Sequence, residues 1–268
     1  MVIFLEMNLS LLIERVKSRL IGTRLGDLAQ QRSKARFRAK LASDPKLAAV
    51  AEEPYDIDRC LQRLIDRHDM TCVDVGAHLG SMTAEFLKLA PSGSHHAFEP
   101  TPRKAKWLRG RFPNVTVHQV ALSDKHSTAT FYDNVGNSGF SGLRSPGEFA
   151  HNVQQYEVEV TTLDSKLADV EVGFLKVDVE GAELATFRGA RDLIARCRPP
   201  MLFECTKTGL ENFGVDAGEI FEELTQISGY DLFVPADFAA QGQPLDAESF
   251  ASAQDYPFRA FNFIAVPK

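Results

Sequence analysis

Apolar residues are grouped along this chain in two alternating periods. From residue 72 onward, short apolar runs of strand length recur: Cys72–Val75, His95–Phe98, Val115–Val120, Phe174–Val179, Met201–Cys205, 230–234 and Phe261–Val266. Between them, apolar residues take helical spacing over 80–90, 102–111, 182–196 and 216–228. Thr128–Tyr132 and Tyr156–Thr161 read as an added pair of strands around a loop rich in glycine and serine, Asn134 to Gly147, and Leu163–Leu167 reads as a short helix. Upstream, Leu9, Leu12, Ile13, Val16 and Leu20 predict helix over 8–42, interrupted at Gly22. Asp44-Pro45 and Glu53-Pro54 punctuate the next stretch, and Ile57, Leu61, Leu64 and Ile65 predict an amphipathic helix leading into the first strand. Strands alternating with helices imply an α/β protein, with a doubly wound, mostly parallel sheet and helices on both faces. The expected organisation is an N-terminal helical extension over 1–55 and one α/β domain over 56–268.

Composition changes this picture little. Hydrophobic content of 44% and charged content of 25% in 268 residues suit a soluble globular protein with a full core. The net charge of −6 hides an asymmetry, because residues 1–40 hold nine Lys/Arg against three acids, a surplus of +6 that leaves −12 for the rest. A basic arm can touch nucleic acid or anionic lipid. Phe37 is the single aromatic residue among basic positions 15–40, so base stacking is poorly served and the nucleic-acid signal is not strong. A solvated helix, or a contact between copies of the chain through these N-terminal helices, is the expectation. Cys60, Cys72, Cys197 and Cys205 show no Cys-x-x-Cys or metal-finger spacing and read as reduced thiols, which favours the cytoplasm. Met1–Ile13 is interrupted by Glu6 and Asn8. It makes a poor signal peptide and is too short to span a bilayer, so no transmembrane segment is expected.

Chemistry gathers at the predicted strand ends, where sheets of this kind bind ligands. Cys72-Val-Asp-Val-Gly-Ala-His-Leu-Gly80 is a strand that runs into a glycine turn and a helix N-terminus. Its Gly76-x-x-x-Gly80 spacing is not that of the Gly-x-Gly-x-x-Gly dinucleotide fingerprint, and Asp74 suits a cationic or amine-bearing ligand better than a diphosphate. Glu99 ends the second strand, 19 residues past Gly80, where a carboxylate can accept both hydroxyls of a ribose. Val120-Ala-Leu-Ser-Asp124 follows the third strand. Asp124 can receive an exocyclic amine there while Ala121 and Leu122 cover the ring face, or it can simply cap a turn.

Leu175-Lys-Val-Asp-Val-Glu-Gly-Ala-Glu183 places Asp178, Glu180, Glu183 and Lys176 around another strand end. Lys176 and Asp178 share one side of a buried strand, and mutual neutralisation is the first reading for Lys176. The acids outnumber it, so at least one carboxylate is expected to face the cleft as a general base. A Mg²⁺ or Ca²⁺ site is the weaker alternative, for want of a clear further ligand, and no metal is assigned. The loop histidine His151 is a further candidate base.

Taken together, Val73–Gly80, Phe98-Glu-Pro100, Val120–Asp124 and Leu175–Glu183 resemble the FkbM family of S-adenosylmethionine (SAM) dependent methyltransferases. The resemblance covers roughly 70–205 and extends to Asn262–Pro267. It implies the Rossmann-like class I methyltransferase fold, SAM as cofactor, and O-methylation of a hydroxyl on a small molecule or glycan, of sugar or polyketide type. By position, Asp74, Gly76, Ala77, His78 and Gly80 would lie at the methionine part of SAM, Glu99 at the ribose, and Ala121, Leu122 and Asp124 at the adenine. Asp178, with Glu180 and Glu183, would lie near the transferred methyl. Asn137-Ser138-Gly-Phe-Ser141-Gly142 resembles a segment near the family's site. The acceptor pocket is expected from loops 134–152, 205–215 and 235–258. Two other readings are a catalytically silent SAM-binding scaffold or regulatory module and an NAD-dependent oxidoreductase.

Overall fold

The computed structural model describes residues 19–135, 141–147, 150 and 152–268. His151, Asn137, Ser138 and the helical pattern before residue 19 lie outside them. Helix α1 (Arg24–Leu41) is capped by Thr23, whose side chain accepts from the Gly26 N–H, and it buries none of its residues. Its positive charges are partly matched: Lys34 meets Asp58 at 2.6 Å and Arg38 meets Glu52 at 2.5 Å. Leu25, Leu28 and Phe37 stay exposed.

Helix α2 (Ala48–Leu64) runs through Pro54, which was expected to punctuate the chain, and also through position 55, where the extension was expected to meet the domain. Proline inside a helix costs about 3 kcal/mol. Here burial on both sides of it offsets that cost, through Val50 and Ala51 before and Cys60 and Leu61 after. The Glu53 carboxylate adds an anchor by accepting the Phe261 and Asn262 N–H groups at 2.8 and 2.7 Å.

The α/β alternation then follows. β1 (Cys72–Val75) leads to α3 (Ser81–Leu89), β2 (His96–Phe98) to α4 (Pro102–Arg111) and β3 (Thr116–His118). A small three-stranded sheet of β4 (Ala121–Leu122), β5 (Ser127–Asn134) and β6 (Val153–Thr161) is added in the order β4-β6-β5, and α5 (Leu163–Lys166) returns the chain to β7 (Phe174–Val177). The expected single helix over 182–196 is two, α6 (Glu183–Arg188) and α7 (Arg191–Cys197). Gly189 lies between them, where a Cβ would come within 2.1 Å of the Ser123 carbonyl, so the chain must turn at that close approach.

After β8 (Met201–Glu204) come α8 (Lys207–Phe213), α9 (Ala217–Glu222) with a π-helical turn at Glu223–Ile227, β9 (Tyr230–Phe233), α10 (Pro235–Ala239), α11 (Ala247–Ser252) and β10 (Asn262–Pro267). The seven-stranded sheet has the order β3-β2-β1-β7-β8-β10-β9. Only β10 runs antiparallel to its neighbours β8 and β9.

Alternation across the strands sorts the core into layers. Cys72, Phe174, Leu202 and Ile264 pack with Leu61 and Phe86 on one face. Val73, Val75, Leu175, Val177 and Phe203 pack with Phe187, Leu193 and Ile220 on the other. Among the described residues the four cysteines are free, and no helix is long and apolar enough to cross a membrane.

Candidate active site

Register decides which polar residues meet. Asp74 pairs with Lys176 across β1 and β7, and Lys176 with Leu202 across β7 and β8. Period two therefore carries Asp74, Lys176, Asp178 and Glu204 along one face of three adjacent strands, at their carboxyl ends. Lys176 Nζ lies 3.3 Å from Asp74 and 3.2 Å from Asp178, and donates to the carbonyls of Val75 at 3.2 Å and Gly76 at 3.0 Å. Burial opposes its charge, but the carboxylates of Asp178 and Asp74 outweigh burial and raise its pKa. The mutual neutralisation expected for Lys176 is thus present. Asp74 also accepts from Thr83 Oγ1 at 2.6 Å. It is wholly buried and fixes the turn from beneath, outside the cleft lining.

The turn needs its glycines. Gly76 has φ +73°, and a Cβ there would stand 1.7 Å from the Asp178 carbonyl oxygen. Gly80, at φ +87°, precedes α3 as its N-cap, and a Cβ there would stand 2.3 Å from the Phe112 ring. Both positions are strained for any other residue. The N–H groups of Gly76 and Ala77 bond the Phe98 carbonyl, each at 3.0 Å, which ties the turn to the end of β2.

Glu99 accepts the His78 N–H at 2.9 Å and the Thr101 N–H at 2.8 Å. Each of its oxygens keeps a lone pair for a ligand hydroxyl. Burial raises its pKa, against the pull of nearby Lys104 and these N–H bonds. Lys104 is itself held by Asp133 at 2.8 Å in a buried pair. Burial, then the charge of Lys104, lowers the His78 pKa to about 4, so its ring is neutral near pH 7.

Above this turn lies a cleft of about 390 Å³ lined by Gly76, Ala77, His78, Glu99, Ala121, Leu122, Asp178 and Glu180. Phe131, Leu143 and Val120 complete an apolar wall. Gly80 shapes the turn without lining the cleft. Asp124 is exposed, receives a hydrogen bond from Ser123 at 3.2 Å and stands outside the lining. Glu183 is also outside it, buried beneath the turn after β7, where it accepts the Val179 and Gly181 N–H groups at 3.1 and 3.2 Å. Burial raises the Glu183 pKa to about 7, against those bonds.

The acids at the cleft differ in charge. Burial would raise the Asp178 pKa, but Lys176 and a hydrogen bond with Glu204 outweigh it and lower the value. Glu180, in left-handed backbone at φ +55°, is pushed up to about 9 by burial, then by Asp178 and Glu183. Glu204 is pushed up to about 10 by burial, then by Asp178 and Glu180. Near pH 7 Asp178 is the anion, and its two neighbours hold their protons. Oxygens of Asp178, Glu180 and Glu204 lie within 4.8 Å of one another, a spacing one hard cation could bridge, although acidic groups this close commonly hold none.

Glu204 was not anticipated from the sequence. The signal was there, since Met201-Leu-Phe-Glu204 ends the neighbouring strand in an acid on the same alternating face as Asp178. A second cavity of about 520 Å³ adjoins the first, with Ser141 and Glu180 lining both.

Residues 74–232 match the Methyltransferase FkbM domain. The chain belongs to the FkbM methyltransferase family. Its FkbM domain thus spans the whole run from Asp74 through the turn after β7 to β9. The chain is 27% identical over 191 residues to Methyltransferase 1 of Beauveria bassiana (strain ARSEF 2860), covering 59% of this chain and 77% of that protein. A crystal structure of methyltransferase FkbM from Methylobacillus flagellatus KT superposes with a TM-score of 0.46 at 16% identity, covering 90% of this chain. The match spans 60% of that longer protein. A TehB-like SAM-dependent methyltransferase from Corynebacterium glutamicum gives a TM-score of 0.40 at 12% identity, covering 87% of this chain and 97% of that one.

Proposed function

We propose that this FkbM-family chain is a SAM-dependent O-methyltransferase acting on a hydroxyl of a small molecule or glycan. The observation that carries the reading is Asp178: a cleft-facing carboxylate kept anionic by Lys176, beside a glycine turn at the carboxyl end of the sheet.

The cleft suits SAM by its own chemistry. Gly76 lets the turn after β1 close against the Asp178 backbone, Glu99 offers paired oxygens to a ribose, and Ala121 and Leu122 give an apolar wall to a purine. Asp74 and Gly80 act indirectly by holding the turn, and Glu183 by holding the turn after β7. Asp124, being exposed, is left without a contact to the purine in this reading.

SAM supplies a methyl group on a cationic sulfur, electrophilic enough for an oxygen to displace. An alcohol is a poor nucleophile until its proton begins to leave. Asp178 would take that proton, and bound SAM would supply the methyl group to the oxygen so freed. Its negative charge also favours the cationic donor over the neutral product. Glu180 and Glu204, holding their own protons, cannot serve as the first acceptor near pH 7. The free thiols, three of them buried, suit a cytoplasmic protein, and the exposed Leu25, Leu28 and Phe37 of α1 suit a contact between copies.

The test is methyl-labelled SAM with the purified chain and extracts of small molecules and glycans, read by mass spectrometry for products one methyl heavier. A thermal-shift series with SAM, S-adenosylhomocysteine (SAH) and NAD runs beside it. Stabilisation by NAD alone would overturn the reading.

A further inference from the structure

The second cavity is built where the three acceptor loops were expected. Its walls come from 141–146, 206–212 and 254–261, and its inner end is Glu180 and Glu204. One wall is aromatic. Tyr256, Phe258 and Phe261 follow one another with ring centroids 5.8 and 5.0 Å apart, yet Tyr256 stays 55% exposed. Lys46 Nζ lies over the Tyr256 ring at 5.4 Å, and the aromatic surface that stays exposed inside the concavity suits a flat apolar partner.

The remaining lining is polar but largely without free charge. Lys207 is paired with Asp255 at 2.8 Å, and Arg144 lies over the Phe213 ring at 5.4 Å. Thr206, Asn212 and Gln254 supply uncharged hydrogen-bonding groups. This chemistry matches an uncharged ring with an apolar face and hydroxyls at its edge.

The inner end has a direction. Asp178 lines the first cleft only, Glu204 the second only, and Glu180 both. A hydroxyl arriving from the second cavity therefore meets Glu204 before Asp178. We propose that the second cavity binds an uncharged, ring-shaped polyol or phenol against Tyr256 and Phe258, and that Glu204 holds the reacting hydroxyl and turns it toward Asp178. The inference rests on the methyltransferase reading above and adds the acceptor class and a residue that contacts it. Sites built to bond a substrate hydroxyl discriminate strongly against analogues that lack it.

The experiment uses the chain saturated with SAH and three probes: myo-inositol and methyl glucoside as polyols, catechol as a phenol. Saturation-transfer NMR reads probe contact, and calorimetry reads SAH affinity in wild type, Tyr256→Ala, Glu204→Ala and Glu204→Gln. At least one probe is expected to bind the wild type, and the responding arm distinguishes polyol from phenol. Its signal should fall at least about fivefold in Tyr256→Ala and Glu204→Ala, with the isosteric Glu204→Gln keeping about half or more. The SAH dissociation constant should move less than about twofold in Tyr256→Ala, which lies outside the first cleft, and in Glu204→Gln, which keeps a hydrogen-bonding side chain beside Asp178. The inference is overturned alone if SAH binds but no probe does, if probes bind both alanine variants unchanged, or if they bind only when SAH is left out. Failure of SAH to bind the wild type would overturn the methyltransferase reading itself.

Discussion

Lys176 joins the turn after β1 to the acids after β7, so Lys176→Met tests that coupling directly. The substitution keeps the stem but leaves Asp74, 1% exposed, and Asp178, 35% exposed, without their cation. Removing one partner of a buried ion pair costs about 3–5 kcal/mol. Asp178 faces the cleft and is partly screened by solvent, so most of that cost falls on Asp74 and the lower end, about 3 kcal/mol, is expected.

The pH dependence follows from the directions of shift. The raised Lys176 contributes stability that is whole below its ordinary value of 10.5 and is lost only as pH climbs through its higher folded value. The lowered Asp178 contributes above its ordinary 3.8 and loses that contribution as pH falls through its folded value. The wild-type pair is therefore intact across the neutral range. Without the lysine, burial acts on Asp178 with far less opposition and raises its pKa, and its ionisation then opposes folding as pH increases. Urea unfolding at about pH 5 and about pH 8 should show a larger penalty at the higher pH. Adding Asp74→Asn should recover at least about 1 kcal/mol of the loss. A penalty below about 1 kcal/mol at both pH values, or one that shrinks as pH rises, would refute the argument.

Asp178→Asn should retain SAH affinity in calorimetry and lose about 10²–10⁴-fold in turnover once an acceptor is in hand. Unchanged turnover removes it from the mechanism. Gly80→Ala, forced to φ +87° with its Cβ 2.3 Å from Phe112, should cost about 1–3 kcal/mol by urea unfolding. Raised carboxyl values mean that Glu180 and Glu204 contribute stability below their ordinary 4.5 and lose it as pH rises toward about 9 and about 10. The melting temperature of Glu180→Gln/Glu204→Gln, read by scanning fluorimetry, should accordingly fall less than that of the wild type between neutral and alkaline pH. Glu53→Ala leaves the Phe261 and Asn262 N–H groups without their acceptor and should cost about 1–3 kcal/mol, with faster hydrogen exchange at those two amides.

The sheet was readable because its central strands are short apolar runs set apart by glycine, proline and acid, a local pattern that packing then confirms at β1, β7 and β8. The glycine turn was readable for the same reason, since positive φ at Gly76 and Gly80 leaves a direct mark on residue choice. The helices α8, α10 and α11 were not, because five to seven residues are too few to establish a helical period. The break at Gly189 depends on the Ser123 carbonyl, which is distant in sequence, and no local pattern reports it. Within the site, neutralisation of Lys176 followed from its place in a buried strand. The inward turn of Glu183 and the outward position of Asp124 depend on backbone paths that residue types alone do not determine. Glu204 was missed because its partners are supplied by register between strands, which a single run of sequence does not contain.

The antiparallel strand β10 sits between β8 and β9, both of which precede it in the chain. Its place therefore has to be held open, or kept fluid, until residues 262–267 arrive. Before then β8 has an unpaired edge beside Glu204, and β9 has no neighbour in the sheet at all. Such edges invite pairing with other chains. As the polypeptide leaves the ribosome, the glycine turn and its lysine anchor can form while Glu204 still lies at an unfinished border. The glycine-turn side of the cleft can thus be assembled before the Glu204 side, and a pause in synthesis after residue 234 would leave a partly built protein prone to self-association.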